Sequence, residues 1–356
     1  EFWFSIIALH KLGAVAIPAT HLLTKKDIVY RCNAADIKMI VCAGEEVITD
    51  HIIEAMPGCP TLQHVVSIGP GMPEGFKDFQ EGIAYAAPFV KPAQPNTNDD
   101  IMLMYFTSGT TGEPKMVAHD FTYPLGHLTT GAFWHNLHEN SLHLTIADTG
   151  WGKAVWGKLY GQMIAGANIF VYDHEKFTPA DILQKIQDCK ITSLCAPPTI
   201  FRFLIKEDIS KYDLSSLEYC TTAGEPLNPS VFDSWKQSTG LTIYEGFGQT
   251  ETTLSIGTFI WLDAKVGSIG KPSPLFDLEL LDENHNRVEI GEEGELCFKM
   301  NDGPNPGLFK DYVNDDEKYR QQIHDGYYHC GDTAWVDEDG YVHFVGRNVQ
   351  DHVCRI

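Results

Sequence analysis

The sequence lacks the features that mark several functional classes. None of its nine cysteines, at positions 32, 42, 59, 189, 195, 220, 297, 330 and 354, forms a C-x-x-C pair, so reduced, buried thiols in a cytoplasmic protein are expected. No stretch reaches the roughly 18 uninterrupted apolar residues of a membrane span, and no signal peptide is visible. Basic residues are scarce, since 26 Lys and Arg face 48 Asp and Glu for a net charge of −22. Without a basic stripe, nucleic-acid binding is not expected, and the acidic surface is interpreted as solvation.

One group of histidines also lacks the partners of a metal site. The segment "WHNLHENSLH" contains His135, His138 and His143, with no carboxylate or cysteine at ligand spacing. A metal site is therefore not predicted there.

What the chain does have is a regular alternation of helix-like and strand-like segments. Thr24 and Asp27 form a capping-box pattern before an amphipathic helix, and the strand "KMIVCAG", the helix "EEVITDHIIEAM" and the strand "LQHVVSIG" follow. Further along, Asn228, Pro229 and Gly240 mark the two ends of another helix. Such repetition predicts an α/β fold of mostly parallel sheets covered by helices.

From about residue 256 the pattern changes to short strands separated by polar turns, such as Asp339-Gly340. This pattern predicts an antiparallel, barrel-like subdomain. We divide the chain into an α/β subdomain at 1–100, a second α/β subdomain at 101–255, the barrel-like subdomain at 256–347 and a remnant of a hinge at 348–356. The first of these is expected to be incomplete at its N-terminus, because the chain begins without Met and inside a predicted helix.

The stretch "YFTSGTTGEPK", from Tyr105 to Lys115, predicts a mobile, polar loop after a buried strand. Such a loop offers backbone N–H groups, hydroxyls and one cation to an anion, and phosphate is the natural ligand. It is not a P-loop, since Lys115 falls three residues after Gly112 and Met116 replaces the Ser or Thr that would hold magnesium. By itself the stretch only modestly favours phosphate binding over a plain flexible turn.

Three more loops share its character. The segments "AGEPL" (223–227) and "YEGFGQTE" (244–251) each follow a predicted strand, and "GDTAWVDEDGYVHFVGR" (331–347) adds Asp332 and Arg347. Ligands of open α/β folds bind at the carboxyl edge of the sheet, where such loops lie. Together and in this order, the four loops resemble the adenylate-forming superfamily of acyl-CoA synthetases, luciferases and peptide-synthetase adenylation domains. The segments "DTGWGKAVWGKLYGQMIAGANIFVYD" and "CAPPTIFRFLIKED" look most like the medium-chain acyl-CoA synthetases.

The resemblance implies the large N-terminal domain of these enzymes, with ATP, Mg²⁺ and CoA as reaction partners of a carboxylic acid. The resemblance is also compatible with a homo-oligomer. In such enzymes the carboxylate attacks the α-phosphate of ATP, pyrophosphate leaves, and a CoA thiol then displaces AMP from the acyl-adenylate. Neither step needs an enzyme nucleophile, which agrees with the lack of a Ser-His-Asp or Cys-His signature.

The resemblance also implies a nucleotide site. The β- and γ-phosphates would contact Thr107, Ser108, Gly109, Thr110, Thr111, Gly112 and Lys115. Thr250 would hydrogen-bond the α-phosphate, and Glu251 would ligate magnesium. The adenine would be enclosed by Gly224, Glu225, Pro226, Glu245, Gly246, Phe247 and Gly248. Within that set, Phe247 would stack on the ring and Glu245 would approach the exocyclic amine through its backbone carbonyl. Asp332 would accept both ribose hydroxyls, and Arg347 would close the same region.

The acyl group is expected near Trp151, Lys153, Trp156, Gly246 and Gly248. Acetate-specific relatives carry a bulky tryptophan at the place that matches Gly248, so glycine there implies room for more than two carbons. A medium-chain or branched aliphatic acid, or an aryl one, is the expected substrate. At helical spacing, Trp and Lys are otherwise usual in a core and its rim.

The chain departs from the family at its end. After Arg347 the family continues with a hinge acid and a C-terminal domain that carries a catalytic lysine, whereas Val349 and Gln350 replace the usual acids here and only Asp351 remains as a hinge candidate. We therefore expect these 356 residues to bind ATP and acid but to adenylate poorly by themselves. Two other hypotheses remain: an adenylate-forming enzyme with a non-CoA acceptor, and a non-catalytic nucleotide or acyl sensor.

Overall fold

The computed structural model describes residues 1–107, 113–173, 176–300 and 303–347. Its α-helices are α1 (Phe2–Leu12), α2 (Lys25–Ala34), α3 (Glu46–Ala55), α4 (Phe79–Ala84), α5 (Tyr123–Leu128), α6 (Gly152–Lys158), α7 (Tyr160–Ile164), α8 (Pro179–Cys189), α9 (Pro198–Leu204), α10 (Pro229–Thr239) and α11 (Asp316–Gln322). Its strands are β1 (Met39–Ala43), β2 (His64–Ile68), β3 (Lys77–Asp78), β4 (Ile101–Thr107), β5 (Lys115–Asp120), β6 (Leu142–Thr145), β7 (Asn168–Ile169), β8 (Ser193–Cys195), β9 (Tyr219–Ala223), β10 (Ile243–Phe247), β11 (Ile256–Gly257), β12 (Lys271–Pro272), β13 (Leu278–Leu281), β14 (Gly294–Lys299), β15 (Asp311–Tyr312), β16 (Ile323–His324), β17 (Tyr327–Val336) and β18 (Val342–Arg347).

The chain divides into two compact units. The first comprises Glu1–Thr97, Met102–Phe106 and Thr149–Trp151, and the second comprises Asn98–Ile101, Thr107–Asp148 and Gly152–Ile356. The subdomain boundaries drawn from the sequence remain predictions.

The first unit contains a parallel sheet in the order β1-β2-β3. As predicted, α2 begins at a capping box, in which Asp27 Oδ2 accepts hydrogen bonds from the Thr24 backbone N–H at 2.9 Å and from its hydroxyl at 2.6 Å. The two strands and two helices expected in this region all form. Their buried side chains, including Ile28 of α2, Ile52 of α3 and Val65 of β2, make one hydrophobic core.

The second unit contains a seven-stranded sheet in the order β12-β11-β10-β9-β8-β6-β7. Strands β7, β6, β8, β9 and β10 are parallel, and β11 and β12 add antiparallel strands at one side. Helix α10 begins where the Asn228 side chain accepts a hydrogen bond from the Ser230 N–H at 2.9 Å, and it ends at Gly240, whose φ is 77°. The predicted parallel α/β arrangement is confirmed.

The second unit also contains a five-stranded antiparallel sheet in the order β13-β14-β17-β16, with β18 paired to β17. Leu296, Phe298, Tyr328 and Val342 fill its buried face. The predicted change to antiparallel strands is confirmed. Strand β15 leaves this region and pairs antiparallel with β5, with Tyr312 opposite Val117.

The remaining sequence-based expectations concern thiols, histidines and membranes. The cysteines of the described residues are free thiols, buried except for Cys189, and Cys354 lies outside those residues. His135 and His143 are buried, and hydroxyl groups of Thr221, Ser193 and Thr145 hydrogen-bond their ring nitrogens. Among the described helices, none is both long enough and apolar enough to span a bilayer.

Candidate active site

The carboxyl ends of β9 and β10 form the centre of the candidate site. The two strands are parallel neighbours, with Gly246 opposite Ala223. The segment 223–227 leaves β9 as predicted. The segment 244–251, however, does not follow a strand, because its first four residues belong to β10 itself and only Gly248 to Glu251 lie beyond it. These two segments thus meet at one edge of the parallel sheet, where ligands of α/β folds bind.

A cation, a carboxylate and a hydroxyl meet beside this edge. Lys115 Nζ at the start of β5 lies 3.2 Å from Glu251 Oε1, and the Tyr312 hydroxyl donates a hydrogen bond to the same oxygen at 2.7 Å. Lys115 Nζ is also 3.5 Å from the Tyr312 hydroxyl and 4.7 Å from the centre of its ring. Burial and the charge of Glu251 raise the pKa of Tyr312 well above its usual range, so the hydroxyl remains a donor. Sequence reasoning did not find Tyr312.

The backbone that carries Thr250 and Glu251 is held on both sides. His119 Nε2 lies 2.8 Å from the Thr250 carbonyl oxygen, and the Phe309 N–H donates to the Glu251 carbonyl at 2.6 Å. Burial lowers the pKa of His119 to about 4, so the ring is neutral near pH 7 and Nε2 carries the proton that it donates. His119 was also missed by sequence reasoning.

Asp332 lies in β17 directly opposite Arg347 of β18. Arg347 Nε is 3.9 Å from Asp332 Oδ1, but its side chain is 73% exposed, whereas Asp332 is buried. Gln249 Nε2 donates to Asp332 Oδ2 at 2.6 Å, and Gln249 Oε1 accepts from the Tyr328 hydroxyl at 2.6 Å. Burial raises the pKa of Asp332, although Arg347 and Gln249 oppose this. Gln249 therefore connects Asp332 to the segment that contains Thr250 and Glu251.

The expected role of the Glu245 carbonyl is contradicted by the hydrogen bonds. This oxygen accepts from Trp134 Nε1 at 3.1 Å and from the Thr258 N–H at 2.8 Å. A carbonyl oxygen has two lone pairs, so none remains for the exocyclic amine of adenine. The Glu245 carboxylate accepts from the Leu227 N–H at 3.1 Å, and burial raises its pKa to about 7.

The other proposed adenine residues lie around the same strand ends. Gly224 has a φ of 98°, a left-handed conformation that favours glycine, while Glu225 and Pro226 are exposed. Phe247 is half-buried, with its ring centre 5.9 Å from that of Phe344.

Neither Gly246 nor Gly248 leaves open space for a flat ligand on the side where a Cβ would point. A Cβ on Gly246 would lie 2.7 Å from atoms of Trp134 and Leu254. A Cβ on Gly248 would lie 2.5 Å from the Thr253 carbonyl oxygen and 2.6 Å from Trp156 Cη2. The space that sequence reasoning assigned to the substrate beside Gly248 is therefore occupied by the edge of an indole.

Two of the proposed acyl residues lie on α6, and both have partners within the fold. Lys153 Nζ donates to the Ala223 carbonyl oxygen at 2.5 Å, and burial lowers the pKa of Lys153. Trp156 Nε1 donates to the Tyr123 hydroxyl at 2.9 Å. Trp151 is 69% exposed and belongs to the first unit, so its expected place beside the other two remains a prediction.

The phosphate loop is only partly described. Thr107 ends β4 and Lys115 begins β5, as the apolar segments on either side predicted. Ser108, Gly109, Thr110, Thr111 and Gly112 lie outside the described residues, and so does the tail that includes Val349, Gln350 and Asp351.

The fold is that of adenylate-forming enzymes. It matches the crystal structure of the anthranilate CoA ligase AuaEII in complex with anthranoyl-AMP with a TM-score of 0.88 and 28% identity, covering 96% of this chain and 65% of that one. It also matches the acyl-CoA synthetase of Brucella canis with a TM-score of 0.83 and 27% identity, covering 96% of this chain and 62% of that one.

The sequence matches the family described as AMP-binding enzyme over residues 1–313, and the chain belongs to this family. It is 38% identical to the mitochondrial acyl-coenzyme A synthetase ACSM3 of Rattus norvegicus and 36% identical to that of Mus musculus, over 98% of this chain and 60% of each relative. The chain therefore spans about 60% of the length of these curated relatives. The expectation of a cytoplasmic protein is wrong by this comparison, because both relatives are mitochondrial.

Proposed function

We propose that the protein is an AMP-forming acid–thiol ligase, which activates a carboxylic acid with ATP to an acyl-adenylate and transfers the acyl group to CoA. The family and the curated acyl-CoA synthetase relatives support this proposal. The relatives also support a mitochondrial location. The observation that carries the proposal is the contact of Lys115 with Glu251 at the carboxyl edge of the parallel sheet.

The residues of the proposed nucleotide site supply what adenylation needs. Displacement of pyrophosphate requires neutralised phosphate charge and an in-line approach of the carboxylate. Lys115 and the loop from Thr107 to Gly112 would hold the β- and γ-phosphates, and Thr250 would bind the α-phosphate. Gln249 positions Asp332, which lies opposite Arg347 in the β17–β18 pair. Asp332 would accept hydrogen bonds from the ribose hydroxyls. Gly224 to Pro226 and Phe247 would enclose the adenine.

Glu251 fits a magnesium ligand. Mg²⁺ prefers carboxylate and phosphate oxygens, and it is often bound by one or two carboxylates together with the substrate. Glu251 offers a carboxylate whose Oε1 is already positioned by Lys115 and Tyr312. Bound there, the ion would neutralise charge on the phosphate oxygens. Binding of phosphate would compete with Glu251 for Lys115.

The substrate class remains the one that the resemblance implies. A medium-chain or branched aliphatic acid, with an aryl acid as an alternative, remains the proposal. We assign the control of pocket length to Trp156 and not to Gly248. The Trp156 ring occupies the space into which a side chain at position 248 would project.

The test measures pyrophosphate release from ATP by the full-length protein, because the chain spans about 60% of the length of its relatives and is expected to adenylate poorly by itself. Acids from acetate to decanoate, with branched and aromatic examples, are each tested with and without CoA. Release that depends on the acid and peaks at intermediate length is expected, and CoA should convert slow release into steady turnover. Lys115→Met should lose most of this activity. Lys310→Met, at an exposed lysine directly before β15 that faces Asp99, should retain it.

Two results would contradict the ligase. Acid-dependent release without a CoA thioester product would indicate a different acceptor. ATP binding without release for any acid would indicate a nucleotide sensor.

A further inference from the structure

Three histidine side chains converge in the antiparallel sheet, outside the residues that the proposed reaction uses. His285 lies in the connection between β13 and β14, His324 in β16 and His329 in β17. The rings of His324 and His329 are stacked with centres 3.9 Å apart, and the centre of His285 lies 5.5 and 5.6 Å from theirs. One potential ligand atom from each residue lies within 4.8 Å of the other two.

A carboxylate faces the Nδ1 atom of every ring. Asp325 Oδ2 lies 3.0 Å from His285 Nδ1 and 3.1 Å from His324 Nδ1. Glu295 Oε2 lies 3.0 Å from His329 Nδ1, and Glu295 Oε1 is held by the Gly331 N–H at 3.1 Å. A carboxylate on Nδ1 keeps the proton there and leaves the Nε2 lone pair available. This is the arrangement by which proteins orient histidines that bind metal ions.

The buried ring supplies a second, independent observation. The His329 side chain is only 7% exposed, and its Nε2 is buried without a hydrogen-bond partner in the described part of the chain. A buried polar atom without a partner costs free energy, so such an atom in a native fold calls for a partner. A metal ion bound at this nitrogen would provide one.

We propose that His285, His324 and His329 bind a divalent transition-metal ion, with Zn²⁺ as the best match to three neutral imidazoles. Strands β16 and β17 would supply two nitrogen ligands, the β13–β14 connection a third and water the fourth. Nitrogens bound to tetrahedral Zn²⁺ lie about 3.4 Å apart, so the rings must approach one another slightly on binding. A metal also lies in the plane of each imidazole, so one ring of the stack must turn. His285 and His324, with side chains 45% and 36% exposed, have room to do so around the buried His329.

A second set of potential ligands shares His329 but fits less well. Cys297 Sγ lies 3.4 Å from His329 Nδ1, the same nitrogen that faces Glu295. These three groups already hydrogen-bond one another, and Cys297 is fully buried. The three-histidine set instead opens to solvent on one side, which gives a cation an entry path.

The consequence of binding would be structural. The ion would join the β13–β14 connection to the hairpin formed by β16 and β17. Asp332 lies three residues beyond His329 on β17. The bound ion would therefore stabilise the strand that carries the proposed ribose ligand.

The test measures binding of Zn²⁺ and Co²⁺ to the purified, metal-free protein by equilibrium dialysis and by the visible absorption of Co²⁺. About one equivalent with a tetrahedral Co²⁺ spectrum is expected, together with a higher unfolding midpoint in Zn²⁺ than in chelator. His285→Asn, which tolerates the left-handed φ of 61° at this position, and His324→Gln should each weaken binding at least about 100-fold. Asp325→Asn should weaken it about 10- to 100-fold.

His21→Gln, a surface change in the first unit, is the matched control and should bind as the wild type does. Equal unfolding midpoints in chelator would show that the variants fold. The proposal is overturned if the wild type binds less than half an equivalent, or if His285→Asn and His324→Gln bind normally. It is also overturned if Cys297→Ser alone abolishes binding, because the ion would then occupy the second set.

Discussion

At the scale of single residues, Tyr312 holds a charged group of the candidate site in place. Its hydroxyl donates to Glu251 Oε1, which also faces Lys115. Glu251 is buried, so each hydrogen bond to its carboxylate contributes to holding it in place. Tyr312 is therefore a positioning residue for the proposed magnesium ligand.

Tyr312→Phe removes this hydroxyl and leaves the ring. A hydrogen bond to a charged group contributes about 1.5–3 kcal/mol, so we expect kcat/KM for ATP to fall about 10- to 100-fold. The dependence on Mg²⁺ concentration should shift upward as well, which a purely structural role would not produce. Tyr319→Phe is the control, since its half-buried ring packs on Phe309, 5.8 Å between centres. Unchanged Mg²⁺ dependence in Tyr312→Phe would disprove the positioning role.

Glu245 predicts a pH dependence of stability. Burial raises its pKa from 4.5 to about 7 in the folded protein. Between these values the folded state binds more protons than the unfolded state, so this stabilisation is present below pH 4.5 and is lost as the pH rises through 7. Its size is about 3 kcal/mol. Glu245→Gln cannot ionise, so its free energy of unfolding relative to the wild type should rise by up to that amount between pH 5 and pH 8.

Urea unfolding of both proteins at several pH values measures this difference. The buried histidines with lowered pKa values, such as His119 and His127, are present in both and cancel. Glu218→Gln, at an exposed position, should show no such trend. A constant difference between Glu245→Gln and wild type across this range would contradict the raised pKa.

At the scale of elements, α6 connects the strand ends to the proposed acyl pocket. Its Lys153 reaches the last residue of β9, and its Trp156 fills the space beside Gly248 at the end of β10. One short helix thus contacts the end of β9 and lies beside Gly248, the residue that follows β10. Substitutions in this helix should therefore affect what binds at this edge.

Trp156→Phe tests the proposed control of chain length. The smaller ring should leave space beside Gly248 and shift the preferred acid toward longer chains. One methylene in a hydrophobic pocket changes selectivity about 10- to 200-fold, so the ratio of kcat/KM for a longer to a shorter acid should rise by about tenfold. Trp261→Phe, at a position 54% exposed, should leave this ratio unchanged. A Trp156→Phe enzyme with a uniform loss of kcat/KM across all acids would show that the residue is structural only.

Elements also show what a sequence can predict. The capping box of Thr24 and Asp27 and the ends of α10 were predictable because the interacting groups lie within a few residues of one another. Tyr312 was not, because its contact with Glu251 spans 61 residues and arises only when β15 pairs with β5. The hydrogen bond from Trp134 to the Glu245 carbonyl was equally unpredictable, because the two residues are 111 positions apart. The glycine motifs indicated a candidate site, but they could not show that Trp134 and Trp156 fill the space beside Gly246 and Gly248.

At the scale of the whole molecule, the net charge of −22 acts on every anionic ligand. ATP, with or without Mg²⁺, and CoA are all anions. In the proposed nucleotide site, Lys115 is close to Glu251 and Arg347 is close to Asp332, so these two pairs add little net positive charge. The overall field should therefore slow the approach of nucleotide.

Salt should relieve this repulsion. The Debye length falls from about 30 Å at 0.01 M to about 10 Å at 0.1 M, so the association rate of MgATP should rise about two- to tenfold over this range. Stopped-flow mixing with a fluorescent ATP analogue measures the rate, and an uncharged fluorescent adenosine analogue serves as the control, whose rate should not change. A rate that instead falls with salt would mean that local positive charge near the phosphate loop outweighs the field of the whole molecule. In that case removing the charge of Lys115 should reverse the salt dependence. This single variant would thus distinguish the local positive charge from the field of the whole molecule.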